Sequence, residues 1–157
     1  MRINLLTVGK TDFGWVSEGM SVYASRIGHY VPFSVVEIPE LKNVSALSKE
    51  QIKEKEGELI LRNIKAADRV VLLDEHGKEY RSVEFSSMLE DMMSRGGKDI
   101  VFVIGGAYGF SQKVYSRADS LLSLSRMTFS HQIVRALFLE QLYRAFTIMR
   151  SEPYHHE

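Results

Sequence analysis

The 157-residue sequence contains no cysteine. That excludes a disulfide framework, a thiolate metal site and a cysteine nucleophile. There is no excess of charge of either sign, since 20 Lys+Arg face 20 Asp+Glu. A protein that coats nucleic acid by neutralising phosphates would be basic. Any nucleic-acid contact here has to rest on a local patch and on shape. No apolar run approaches the roughly 18–20 residues of a membrane span. The opening MRINLLTVGK is a short apolar run with strand-like punctuation, not the pattern of a signal peptide. The expectation is a cytoplasmic protein. Two nucleotide signatures are also missing: the glycine spacing GxGxxG, and a Walker lysine followed by serine or threonine.

What is present suits one globular domain, residues 1–157, with 45% hydrophobic and 25% charged residues. The apolar period alternates between strand and helix. Ile3 to Val8 reads as a buried strand closed by Gly9, and Trp15 to Gly28 as a helix. Phe33 to Ile38, between two prolines and rich in β-branched residues, reads as a second strand. Ser48 and Gln51 have the spacing of a capping box, which predicts a charged helix to about Lys65. The plain reading of the charged stretch from Lys42 to Lys65 is a solvated helix face. Arg69 to Asp74, Asp99 to Ile104 and Leu121 to Ser125 read as three more strands. A helix at Val83 to Arg95, a short one opening at Ser111 and a long one at His131 to Arg150 complete the pattern. Apolar strands alternating with helices imply an α/β fold with a mostly parallel sheet covered on both faces.

In such sheets, ligands bind beyond the carboxyl ends of the strands at a topological switch point. Three strand exits have unusual composition: Leu73-Asp74-Glu75-His76-Gly77, Gly105-Gly106-Ala107-Tyr108-Gly109, and Leu124-Ser125-Arg126-Met127-Thr128-Phe129. A glycine loop lets a ligand approach the backbone closely, although a tight turn with no ligand has the same composition. Three consecutive residues such as Asp74, Glu75 and His76 rarely converge on one ion, so no metal is expected. The last helix is apolar almost all round, which implies burial on more than one side and hence a subunit interface. Leu139 and Phe146 are candidate partner-facing residues. Glu140 and Arg144, at i,i+4, are either a simple intrahelical ion pair or a polar contact at a site formed by a dimer.

Taken in order, INLLTVGK, VVLLDEHGK, FVIGGAYGF, LSLSRMTFSHQIVRALFLEQLYRAFTIMR and PYHHE span essentially the whole chain. Together they resemble the RlmH family of ribosomal RNA methyltransferases, in the SPOUT class. The resemblance implies a parallel-sheet α/β-knot with a C-terminal trefoil knot, a rare exception to the no-knot rule. It implies S-adenosyl-L-methionine as cofactor, held by Leu73, Gly105, Leu124, Ser125, Arg126, Met127, Thr128 and Phe129. The implied reaction is methylation of N3 of a pseudouridine in 23S rRNA of the assembled 70S ribosome, by a homodimer without a metal. The implied chemistry then falls on the tail and the helix before it. His155 would accept the N3 proton or hydrogen-bond the base, and Tyr154 would stack on the target ring or hydrogen-bond it. Arg144 and Glu140 would orient the tail or the RNA, and His131 would shape the cofactor loop. Two other readings stay open: a SPOUT-like methyltransferase acting on another RNA or a protein, and a non-catalytic ribosome-binding module.

Overall fold

The structure, a computed structural model, describes residues 1–156. Five strands and five helices alternate: β1 Ile3–Val8, α1 Gly14–Ile27, β2 Phe33–Ile38, α2 Lys49–Arg62, β3 Arg69–Glu79, α3 Ser82–Ser94, β4 Ile100–Ile104, α4 Gln112–Arg117, β5 Ser120–Ser123 and α5 Ile133–Met149. All pairings are parallel and the order across the sheet is β2-β1-β4-β3-β5.

The local signals explain most boundaries. The Ser48 hydroxyl accepts from the Gln51 amide at 3.2 Å, and the Gln51 side chain accepts from the Ser48 amide at 2.8 Å, so the reciprocal box forms at the start of α2. α2 stops at Asn63 rather than Lys65, where the Asn63 side chain donates to the Leu59 carbonyl at 2.9 Å and ends the ladder. The Ser111 hydroxyl caps α4 by accepting from Val114.

Alternation along the strands sorts the core onto two faces. Ile3, Leu5, Val71, Ile100, Phe102 and Ile104 pack under α1, α3 and α5. Leu6, Val8, Val70, Leu72, Val101 and Val103 pack under α2 and α4. β4 is central and buried at all five positions. The chain leaving β3 enters α3 on one face, while the chain leaving the adjacent β4 enters α4 on the other. Diverging exits open a crevice at the carboxyl ends of these strands.

β3 is longer than its sequence suggests, running on to Glu79. Leu73 and Lys78 both register with Leu122 of β5, so residues 74–77 loop out between them as a bulge. Gly77 makes this possible. A Cβ there would stand 2.7 Å from the Leu121 carbonyl carbon and the Leu122 nitrogen, which only a glycine avoids.

α5 is pinned by two side chains that sequence reading did not single out. Arg135 is fully buried, and its guanidinium donates to the carbonyls of Val8 (2.8 Å), Gly9 (3.0 Å) and His131 (3.0 Å) and to the Thr11 hydroxyl (2.8 Å). Burial lowers its pKa, while Glu37, with an oxygen 3.5 Å away, favours the charged form. Gln132 accepts from the Asp12 amide and donates to the Lys10 carbonyl. These bonds hold the start of α5 against the loop that follows β1.

Of the apolar residues of α5, Leu139 and Phe146 lie in the monomer core at 0% and 3% exposure. The expectation that either faces a partner is therefore corrected: both pack inward on the sheet and its covering helices. The large apolar residue that α5 presents outward is Leu137, 41% exposed.

Candidate active site at the strand exits

The three strand exits meet in one cavity of about 450 Å³, within the range of small-ligand sites. Leu73, Gly105, Leu124, Ser125, Met127, Thr128 and Phe129 all line it, and so does His131. Arg126 does not. Its side chain is 88% exposed and its guanidinium reaches toward Glu79, 3.9 Å away, so the side chain turns away from the cavity while its backbone stays in the loop that borders it. Loop spacing fixes which residues are near the cavity, but not which way a long side chain turns. The loop is shaped from within by hydroxyls: Ser123 donates to the Ser125 carbonyl, and the Ser125 hydroxyl accepts from the Met127 amide, both at 3.0 Å.

Gly105 is required by packing rather than by backbone angle. Its φ is not positive, and a Cβ there would lie 2.9 Å from the Phe110 ring. The next residue, Gly106, presses on α2, where a Cβ would sit 2.8 Å from both carboxylate oxygens of Glu56. Glu56 has one buried oxygen with no hydrogen-bond partner, and burial followed by repulsion from Glu40 raises its pKa. Within the bulge, Asp74 accepts from the Tyr115 hydroxyl through one oxygen and from the His76 amide (2.8 Å) through the other. Burial and that carboxylate together push the Tyr115 hydroxyl pKa upward.

The other predicted residues gather elsewhere, around Glu140. Arg144 holds one Glu140 oxygen through Nε (3.0 Å) and Nη2 (2.5 Å), and the Tyr154 hydroxyl donates to the same oxygen at 3.2 Å. The Arg144 guanidinium stacks over the Tyr154 ring, and Tyr143 meets that ring edge-on at 4.8 Å. Arg144 Nη1 lies 3.0 Å from His155 Nδ1. An arginine only donates, so Nδ1 accepts and the ring proton of the neutral form lies on Nε2. Burial and the neighbouring Tyr23 and Glu140 raise the Tyr154 pKa, keeping it a neutral hydroxyl.

None of Glu140, Arg144, Tyr154 and His155 lines the cavity of its own chain. Glu140 instead borders a smaller groove of about 260 Å³, together with Leu137. That groove shares Leu122, Ser123, Leu124 and Phe129 with the main cavity, so the two are neighbours across the β5 exit loop. Among the described residues there is no cluster of three or more His, Cys, Asp or Glu able to hold a metal ion. Among the described residues no helix is long and apolar enough to cross a membrane.

A family model described as predicted SPOUT methyltransferase matches residues 1–155. The chain belongs to the SPOUT methyltransferase family. Its curated relatives narrow that to the RlmH branch. The chain is 54% identical over 157 residues to the ribosomal RNA large subunit methyltransferase H of Parabacteroides distasonis, covering all of both chains. It is 53% identical over 156 residues to the protein of the same name from Christiangramia forsetii, covering 99% of each. Among solved structures, one concerned with 2-OH methylation of C/U34 on tRNA is similar at 13% identity and a TM-score of 0.49, over 96% of this chain and 98% of that one. Membership of this SPOUT branch makes the chain a methyltransferase with an α/β fold.

Proposed function

We propose that this protein methylates N3 of a pseudouridine in 23S rRNA of the assembled 70S ribosome, as a homodimer, in the cytoplasm. The observation that carries the reading is the meeting of the β3, β4 and β5 exits in one cavity beside a polar cluster on α5 and the tail. The cavity suits S-adenosylmethionine. Leu73, Ile104, Leu122 and Leu124 offer an apolar slot, and Gly105 and Gly106 let a ligand reach the backbone. Ser125 and Thr128 add hydroxyls. When bound, the cofactor supplies a methyl carbon made electrophilic by its sulfonium.

The chain's own task is positioning, proton handling and exclusion of water. His131 stands at the cavity wall, and its carbonyl is bound by the buried Arg135, which fixes the start of α5 beside the cofactor loop. Glu140 holds an anionic charge that Arg144 and Tyr154 orient. His155 accepts a hydrogen bond from Arg144 at Nδ1, which orients its ring for contact with the target base. Removal of the N3 proton then falls to Glu140, or to His155 once Arg144 has let go of it. Because the tail does not reach its own cavity, a second copy would bring its Tyr154 and His155 there, with Leu137 in the contact. The C-terminal knot implied by the resemblance would lie in the same loops.

Net charge supports the assembled ribosome over naked RNA. With no excess of positive charge, the phosphate-driven part of binding is weak, and a folded particle adds shape and protein contacts. The test is methyl transfer to purified ribosomes lacking the modification, with mapping of the methylated nucleotide and free 23S rRNA alongside. Methylation of a pseudouridine on ribosomes only is the expected result. Transfer to another RNA, or none with intact cofactor binding, would move the chain to one of the two other readings.

A further inference from the structure

Asp74 is the least exposed of the charged groups at the cavity for which the methyl-transfer reading has no use. Its side chain is 8% exposed, and it lines the cavity from the bulge between Leu73 and Lys78. Glu75, the other carboxylate there, is 62% exposed and solvated. The position of Asp74 is fixed by backbone, since Gly77 locks the bulge against β5. Its partners are two neutral donors, the Tyr115 hydroxyl and the His76 amide, and one exposed imidazole, His76 Nδ1 at 3.1 Å. Among the described residues no lysine or arginine pairs with it. Lys53, which also lines the cavity, pairs instead with Glu50 at 3.1 Å. A carboxylate largely shielded by protein, bordering the cavity and with no firm cation partner, favours a cationic ligand.

We propose that Asp74 makes the site discriminate between the cationic methyl donor and its neutral thioether product, by facing the sulfonium across the cavity. This rests on reading the cavity as an S-adenosylmethionine site. The two molecules share adenosine, carboxylate and ammonium, and differ by one methyl group and one positive charge. A carboxylate near sulfur therefore binds the donor and gains nothing from the product. Its pull disappears once the methyl group has left, so product yields to fresh donor. The same pull stabilises the bound donor more than a transition state in which the charge is fading, so Asp74 favours exchange of the cofactor at some cost to the transfer step.

The experiment is calorimetric titration of S-adenosylmethionine and S-adenosylhomocysteine into wild type, Asp74→Asn and Tyr115→Phe. Asp74→Asn should weaken the methionine form about tenfold, the effect of one partly solvated charge contact, and the homocysteine form less than about twofold. Equal weakening of both would overturn the proposal, because the carboxylate would then be reading the shared ammonium or the ribose. No change in either would overturn it too. Tyr115→Phe keeps the charge and should retain at least the wild-type preference for the donor, so it serves if Asp74→Asn does not fold. A preference lost in Tyr115→Phe would count against the role of the charge. If wild type bound neither compound, the cofactor reading itself would fail, a result distinct from binding without discrimination.

Discussion

The cavity at the ends of β3, β4 and β5 is made largely of backbone and apolar side chains, while the cluster around Glu140 is made of charged and aromatic ones. The first has volume and little chemistry. The second has one carboxylate, donors and aromatic rings, and lies outside the main cavity of its own chain, with Glu140 on the smaller groove beside it. On the proposed function, the difference teaches that holding a ligand and transforming one would be separable tasks. A small sheet-based domain completes the first with its own strand exits, while under the proposed function its terminal tail would serve another copy.

Cutting the chain after Ser151 tests the separation most severely. It removes Tyr154 and His155 but leaves every cavity-lining residue. Methyl transfer to ribosomes should fall at least about a hundredfold, the scale of a lost proton-handling group. Cofactor affinity by calorimetry should stay within about threefold. A matching collapse of affinity would show the tail to be a lid and merge the two regions.

Arg135→Met would break both at once. It strands three carbonyls and a hydroxyl in a buried spot. Loss of a buried, fully bonded charge partner costs about 3–5 kcal/mol. The melting temperature should fall by roughly 6–20 °C, since about 1 kcal/mol shifts a domain of this size by some 2–4 °C.

Gly105→Ala addresses the cavity alone. The new methyl group meets the Phe110 ring, so cofactor affinity should drop about tenfold, and Phe110→Leu in the same chain should restore much of it. Failure of that rescue would mean that the glycine is needed for the ligand rather than for the ring.

Leu137→Arg addresses the second copy. Sedimentation at micromolar concentration should show folded monomer with cofactor binding retained and methyl transfer lost. Leu139→Arg, in the core, should instead unfold the chain.

The smallest effect is expected at Glu56→Gln, which removes a poorly solvated charge beneath the glycine loop. Its carboxyl pKa is raised in the fold above the usual 4.5, so wild type is penalised as pH rises from the unfolded value through the folded one. The variant should be slightly more stable at neutral pH. That gain should vanish in acid, where both states of the wild-type carboxyl are protonated. Thermal melts across pH measure it.

Much of this was legible before any coordinates. The strands at Ile3–Val8 and Phe33–Ile38 have the ends that their apolar runs and bounding prolines suggest, and the Ser48 box starts α2 where its spacing says. Glu140 and Arg144 could be paired from i,i+4 spacing, yet nothing local showed that Tyr154 and His155 would fold back onto them. The direction of the Arg126 side chain was not legible, because an exposed arginine and a cavity-facing one look alike in a loop. Arg135 was passed over because its partners, Val8, Gly9 and Thr11, lie more than 120 positions away.

The sequence by itself determined the alternating pattern, the two-sided burial of the sheet, the three strand exits and the family. Those depend on periodicity, capping and turn residues, which act over a few positions at a time. Only the tertiary structure decided that β4 lies at the centre, that β3 bulges at residues 74–77, and that Gly105 makes room for Phe110. It also decided that α5 turns Leu139 inward and Leu137 outward. Each of these depends on which distant backbone comes within a few ångströms, a matter of how the chain crosses itself and not of any residue's own preference.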